Sequence, residues 1–147
     1  MKKLILLGIA FLTMTACDDK EPNLIPVIDV IEVYDSEGRN VYHESGVEWR
    51  LMENPDGKYT LYMDKTRFID GMPYLDMEVR NLENQYDASF NDDFFKNDTP
   101  EAIPYHNGVA MPNYTLYDFK CETDEEAVNV KFRCMKYDVR YRGSLVR

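Results

Sequence analysis

The stretch VNVKFRCMKYDVRYRG, residues 128–143, decides the fold. Val128, Val130, Phe132 and Cys134 alternate with Asn129, Lys131 and Arg133. Tyr137, Val139 and Tyr141 then alternate with Asp138, Arg140 and Arg142. Successive side chains on a strand point to opposite faces, so a period of two apolar and polar residues gives one dry face and one wet face. That pattern marks antiparallel strands packed on one side only.

The same signature recurs upstream. Val47, Trp49 and Leu51 oppose Glu48 and Arg50, and Tyr59, Leu61 and Met63 oppose Thr60, Tyr62 and Asp64. Between them Asn54-Pro55-Asp56-Gly57 supplies turn chemistry, so the two runs form a hairpin. Leu75, Met77 and Val79 alternate with Asp76, Glu78 and Arg80. Val27 to Asp35 reads as a first strand whose alternation breaks at Asp29, and 112–121 pairs with 127–136 across a loop at 122–126. Residues 84–107 are irregular, with a weak strand near Tyr86–Phe90 and then a long loop. No segment holds a helical period beyond two turns. About eight short strands in a meander predict an all-β domain, an antiparallel up-and-down barrel, either round or flattened and partly open.

The N-terminus is of a different kind. Lys2 and Lys3 precede an uncharged apolar run, Leu4 to Ala16, shorter than the roughly 20 residues that span a bilayer. Met14-Thr15-Ala16 then leads into Cys17, and this resembles the lipobox of bacterial lipoproteins, with Met14 where Leu is usual. The resemblance implies cleavage before Cys17 and lipidation of its sulfur, with 1–16 as signal peptide. Each buried methylene adds about 0.8 kcal/mol, so several acyl chains hold a domain on a membrane without a spanning helix. Asp18, Asp19 and Glu21 resemble the surface-export signal of Bacteroides-group lipoproteins; read plainly, they are a solvated tether over 17–26. The domain proper is 27–147.

Without 1–16 the chain has 131 residues, enough for one core, and 15 basic against 27 acidic side chains, a net charge near −12. Such a surface repels nucleic acid and anionic lipid headgroups. It suits a cationic partner, and it also simply confers solubility. Cys121 and Cys134 remain. In the hairpin pairing above they lie seven residues apart, roughly 23 Å at about 3.3 Å per residue, beyond the reach of a disulfide, so two separate thiols are expected.

Three stretches, TRFIDGMPYLDMEV (66–79), AIPYHNGVAMPNYTLYDF (102–119) and VNVKFRCMKYDVRYRG (128–143), resemble the small calycin-like lipoproteins of Bacteroides-type gut bacteria. The matching residues are Phe68, Met72 and Pro73, then Pro104, Tyr114 and Thr115, then Val139, Tyr141 and Gly143. The resemblance implies a calycin-like β-barrel and an outer-membrane location, and no particular activity. True lipocalins carry Gly-x-Trp in the first strand. This chain has Gly46-Val47-Glu48-Trp49, one residue too long, which counts against lipocalin-style ligand binding but leaves Trp49 as a large aromatic plug.

No nucleophile motif surrounds His43-Glu44 or His106, and both histidines read as exposed loop residues. Asp92/Asp93 and Asp124/Glu125/Glu126 read as solvated carboxylates, and 91–98 lacks the spacing of a calcium loop. No cofactor or metal is implied, and an enzyme is the least favoured class. Among the aromatics, Tyr59, Tyr137 and Tyr141 alternate inward, whereas Tyr62, Tyr74 and Tyr117 point outward, where tyrosines stack on sugars or anchor a protein partner, or else are half-buried sheet residues favoured by β propensity. Trp49, Tyr62, Tyr74 and Tyr117 are therefore the candidate ligand-binding residues. The expectation is a monomeric, lipid-anchored envelope module, facing the cell surface rather than the periplasm. It would bind a small apolar molecule, a glycan or a peptide. The alternative is an inhibitor or immunity lipoprotein that neutralises a cationic secreted enzyme such as a cell-wall hydrolase.

Overall fold

A computed structural model of the chain describes residues 29–68, 71–87, 92–96, 101–124 and 127–144. The signal peptide, Cys17 and the tether lie outside the described residues. Among the described residues no helix is long and apolar enough to cross a membrane, and the helical content is one 3-10 turn, Pro112–Tyr114.

The strands are β1 (Val30–Tyr34), β2 (Asn40–Ser45), β3 (Arg50–Glu53), β4 (Tyr59–Thr66), β5 (Leu75–Asp87), β6 (Asp92–Lys96), β7 (Glu101–Ala102), β8 (Tyr105–His106), β9 (Val109–Ala110), β10 (Leu116–Thr123), β11 (Ala127–Cys134) and β12 (Tyr137–Ser144). They form one antiparallel sheet in the order β2-β1-β12-β11-β10-β6-β5-β4-β3, with β7 beside β10 and the β8/β9 hairpin beside β5. The two ends of this order, β2 and β3, are consecutive in the chain. Val47 N–H still donates to Asp29 O at 3.0 Å, so the chain follows β1 to that point. It then crosses to β4, where Arg50 faces Tyr62. β2 and β3 are thus two parts of one bent stave at the edges of the sheet, which curls into a half-barrel. This is the barrel-like, all-β architecture that the alternation predicts.

The inward set is the predicted one. Trp49, Leu61, Met63, Met77, Val79, Val130 and Val139 are at most 1 % exposed. Burying a side chain of this size contributes about 1.5–3 kcal/mol. The rings stack across the interior: Trp49 on Tyr141 at 4.2 Å, and Phe132 edge-on to Phe68 at 5.3 Å. Trp49 therefore plugs the core at the bend of the stave, and its backbone N–H donates to the Tyr141 hydroxyl at 2.9 Å.

Several local expectations are corrected. His43 lies on β2 and His106 on β8, not in loops. The irregular region contains β6, which joins β5 to β10, followed by β7 to β9. Its Phe94-Phe95 pair is flanked by charges that hide the alternation, yet Phe95 is buried against Tyr59 at 4.8 Å. The weak strand at 86–90 is the end of β5, which runs to Asp87; the remainder lies outside the described residues. The stretch 112–121 is not one strand, because Pro112 opens the 3-10 turn and β10 starts at Leu116. β10 continues to Thr123, and Asp124 N–H donates to Ala127 O at 3.0 Å to make the turn. Cys121 therefore faces Val130, four residues from Cys134, or roughly 13 Å along the strand. Both thiols are buried and free.

Candidate binding cleft at the bend of the first stave

β3 covers β4 only from Tyr59 to Tyr62. Above that point β2 has turned away to follow β1, and a corner opens between β2 and the upper part of β4. Gly46, at φ 79°, permits the turn. It also shifts the inward parity, from Tyr42 and Glu44 before it to Val47 and Trp49 after it. The corner is a cleft of about 670 Å³, rimmed by Glu44, Glu48, Arg50, Asp64, Lys65 and Tyr74.

One side of the cleft is braced by an aromatic and charged cluster. Tyr42 O–H donates to Glu44, and Tyr74 O–H donates to the other oxygen of the same carboxylate at 3.2 Å. Arg67 Nε–H donates to the Tyr42 hydroxyl at 3.2 Å. The Arg67 guanidinium lies 5.6 Å from the Tyr42 ring centroid and 4.5 Å from that of Tyr74. Burial, with the carboxylate of Glu44 beside it, pushes the Tyr42 phenol up to about 12, so it stays a donor. On the other side Arg50 pairs with Asp64 at 2.9 Å and lies 4.8 Å from the Tyr62 ring centroid. Tyr74 is half exposed beside this frame.

The candidate residues therefore separate. Tyr74 is on the rim of the cleft and Tyr62 adjoins it through Arg50. Trp49, at 1 % exposure, is behind the wall and belongs to the core. Tyr117 is on another part of the sheet, opposite Arg133, whose guanidinium covers its ring at 5.4 Å. Tyr62, Tyr74 and Tyr117 each carry an arginine of this chain near the ring, which leaves less aromatic face for a ligand. Tyr42, Glu44, Arg50, Asp64 and Arg67 escaped the sequence reading. Only the parity slip at Gly46 signals them, and a one-residue slip reverses every side chain that follows it.

The histidines are not brought together. His43 faces Glu32 on the outer surface, while His106 Nδ1–H donates to Asp76 O at 2.8 Å. Among the described residues no group of three His, Cys, Asp or Glu side chains is arranged to hold a metal. No protein-family model matches the chain, and no curated protein or solved structure matches it either.

Proposed function

We propose that the protein is a non-enzymatic binding module, anchored at the outer membrane by acyl chains on Cys17, that holds a glycan or peptide in the corner cleft. The observation that carries this reading is the contrast between core and corner. An apolar ligand inside the barrel would have to displace Trp49, Met77 and Phe132, whereas the corner cleft is open to solvent. Its rim combines the half-exposed Tyr74 ring with the carboxylates of Glu44, Glu48 and Asp64, groups that accept hydrogen bonds from hydroxyls or amines. The calycin-like resemblance and the lipobox support the placement at the envelope.

A panel of envelope glycans and peptides tests the reading by calorimetry. A ligand found this way should bind at least tenfold more weakly to Tyr74→Ala and Glu44→Gln, while Tyr117→Ala stays unchanged. Equal affinity of all three variants would remove the cleft from consideration. The anchor is tested separately: Cys17→Ser should shift the protein from the membrane to the soluble fraction and abolish incorporation of labelled palmitate.

The excess of 27 acidic over 17 basic side chains favours the second reading, an inhibitor of a cationic cell-wall hydrolase, since opposite fields speed association. Titration of hen-type lysozyme and related basic hydrolases with no loss of their activity would eliminate it.

A further inference from the structure

The outer surface of β10, β11 and β12 runs against the charge of the rest of the molecule. The register sets Lys120 directly opposite Lys131, and Lys131 directly opposite Arg140. All three side chains are exposed and point outward. Like charges placed directly opposite on neighbouring strands destabilise a sheet. This happens in a chain with 27 acidic and 17 basic residues, where carboxylates to separate the cations are plentiful. The outer two are partly accommodated: Lys120 pairs with Glu122 at 3.3 Å, and the Arg140 guanidinium lies 4.6 Å from the Tyr34 ring centroid. Lys131, between them, makes no ion pair among the described residues.

Two grooves flank this row, of about 450 and 210 Å³, and Lys131 and Arg140 line both. The larger also takes in His43, Asn129 and Arg142, with Glu32 as its one carboxylate. The smaller takes in Arg133 with Asp118 and Asp138.

We infer that this row is a second binding surface, independent of the corner cleft, and that it takes a linear acidic polysaccharide laid across the strands. Adjacent strands are about 4.8 Å apart, so the row offers one cation per strand at that pitch. A polymer with one carboxylate per sugar unit presents its charges singly in the same manner. Duplex DNA, with a charge per about 1.7 Å, is too dense for an acidic protein with three aligned cations. A flat anionic bilayer would also meet Glu32, Asp118 and Asp138 on the groove walls.

Affinity electrophoresis of the purified full chain tests this, with polygalacturonate in the gel and uncharged dextran as control. Polygalacturonate should retard the protein and dextran should not. Lys131→Gln and Arg140→Gln should each weaken retardation at least fivefold, and Arg39→Gln, an exposed cation away from both the row and the corner cleft, should leave it unchanged. Lys131→Gln relieves the like-charge contacts, so its melting temperature without ligand should not fall, which separates lost binding from lost folding. Retention by dextran, or equal retardation of Lys131→Gln, overturns the proposal. Binding to phosphatidylglycerol vesicles in the absence of polygalacturonate binding overturns the polysaccharide assignment.

Discussion

Tyr141 and Gly143 form a single unit on β12. Both face inward, and the Tyr141 ring lies along the strand over Gly143, so that a Cβ there would collide with the ring and its hydroxyl. The ring held in this way stacks on Trp49, and its hydroxyl accepts the Trp49 backbone N–H. Gly143→Ala should therefore cost about 1–3 kcal/mol, as overpacking does, and Tyr141→Phe about 1–3 kcal/mol, for a buried donor deprived of this acceptor. Urea unfolding followed by tryptophan fluorescence reads both. The two thiols act through pH. Burial pushes Cys121 up to about 12 and Cys134 up to about 11, from an ordinary value of 9.0. The unfolded chain then releases these protons first. The thiol contribution is complete below pH 9 and is lost as the pH rises from there through 11 and 12. Unfolding midpoints should fall across that window, and Cys121→Ala, Cys134→Ala should flatten the fall. Iodoacetamide at pH 8 should label both cysteines only after unfolding.

Bulges bend the strands of the curled sheet. In β5, Val79 faces Leu61 and Leu82 faces Tyr59, so β5 spends one residue more than β4 over this interval. Asn81 lies within it at φ 61° and lets both Val79 and Leu82 point inward. Lys65 in β4 and Asp118 in β10 have the same left-handed backbone at their own register shifts. An extra residue bends its strand and sharpens the local twist. Asn81→Gly should be neutral or stabilising, because glycine adopts this backbone without strain. Asn81→Ile should destabilise by about 1–2 kcal/mol, the cost of the left-handed region for an ordinary residue. Thermal denaturation compares the two. A reversed order of stability would show that the bulge does not persist in solution.

At the scale of the whole molecule, the arginines among the described residues are committed. Arg39, Arg50, Arg80, Arg133 and Arg142 each pair with a carboxylate, while Arg67 and Arg140 lie against tyrosine rings. Exposed pairs of this kind are worth little individually. The excess of acidic residues therefore dominates the long-range field, and self-repulsion opposes the compact state. Adding salt shortens the screening length to about 8 Å at 0.15 M. The melting temperature should accordingly rise by a few degrees between 10 mM and 150 mM sodium chloride. A fall would mean that the pairs outweigh the repulsion.

The alternation of Val128–Cys134, Tyr137–Tyr141, Val47–Leu51, Tyr59–Met63 and Leu75–Val79 carried the strands, their inward faces and the barrel-like class, because burial on one face writes itself into a period of two. The hairpin at Asn54–Gly57 was legible for the same local reason, its turn closing with Gly57 N–H to Asn54 O at 2.9 Å. β6 was not legible, since its place between β5 and β10 depends on partners distant in sequence. Neither was the corner. Tyr42, Glu44, Arg67 and Tyr74 meet only because Gly46 turns the stave and leaves the top of β4 uncovered. The cation row was equally hidden, for Lys120, Lys131 and Arg140 are ordinary wet-face residues until register sets them side by side. Periodicity is a property of one strand, and composition fixes its faces; what stands opposite what is decided by pairing, which no single strand contains.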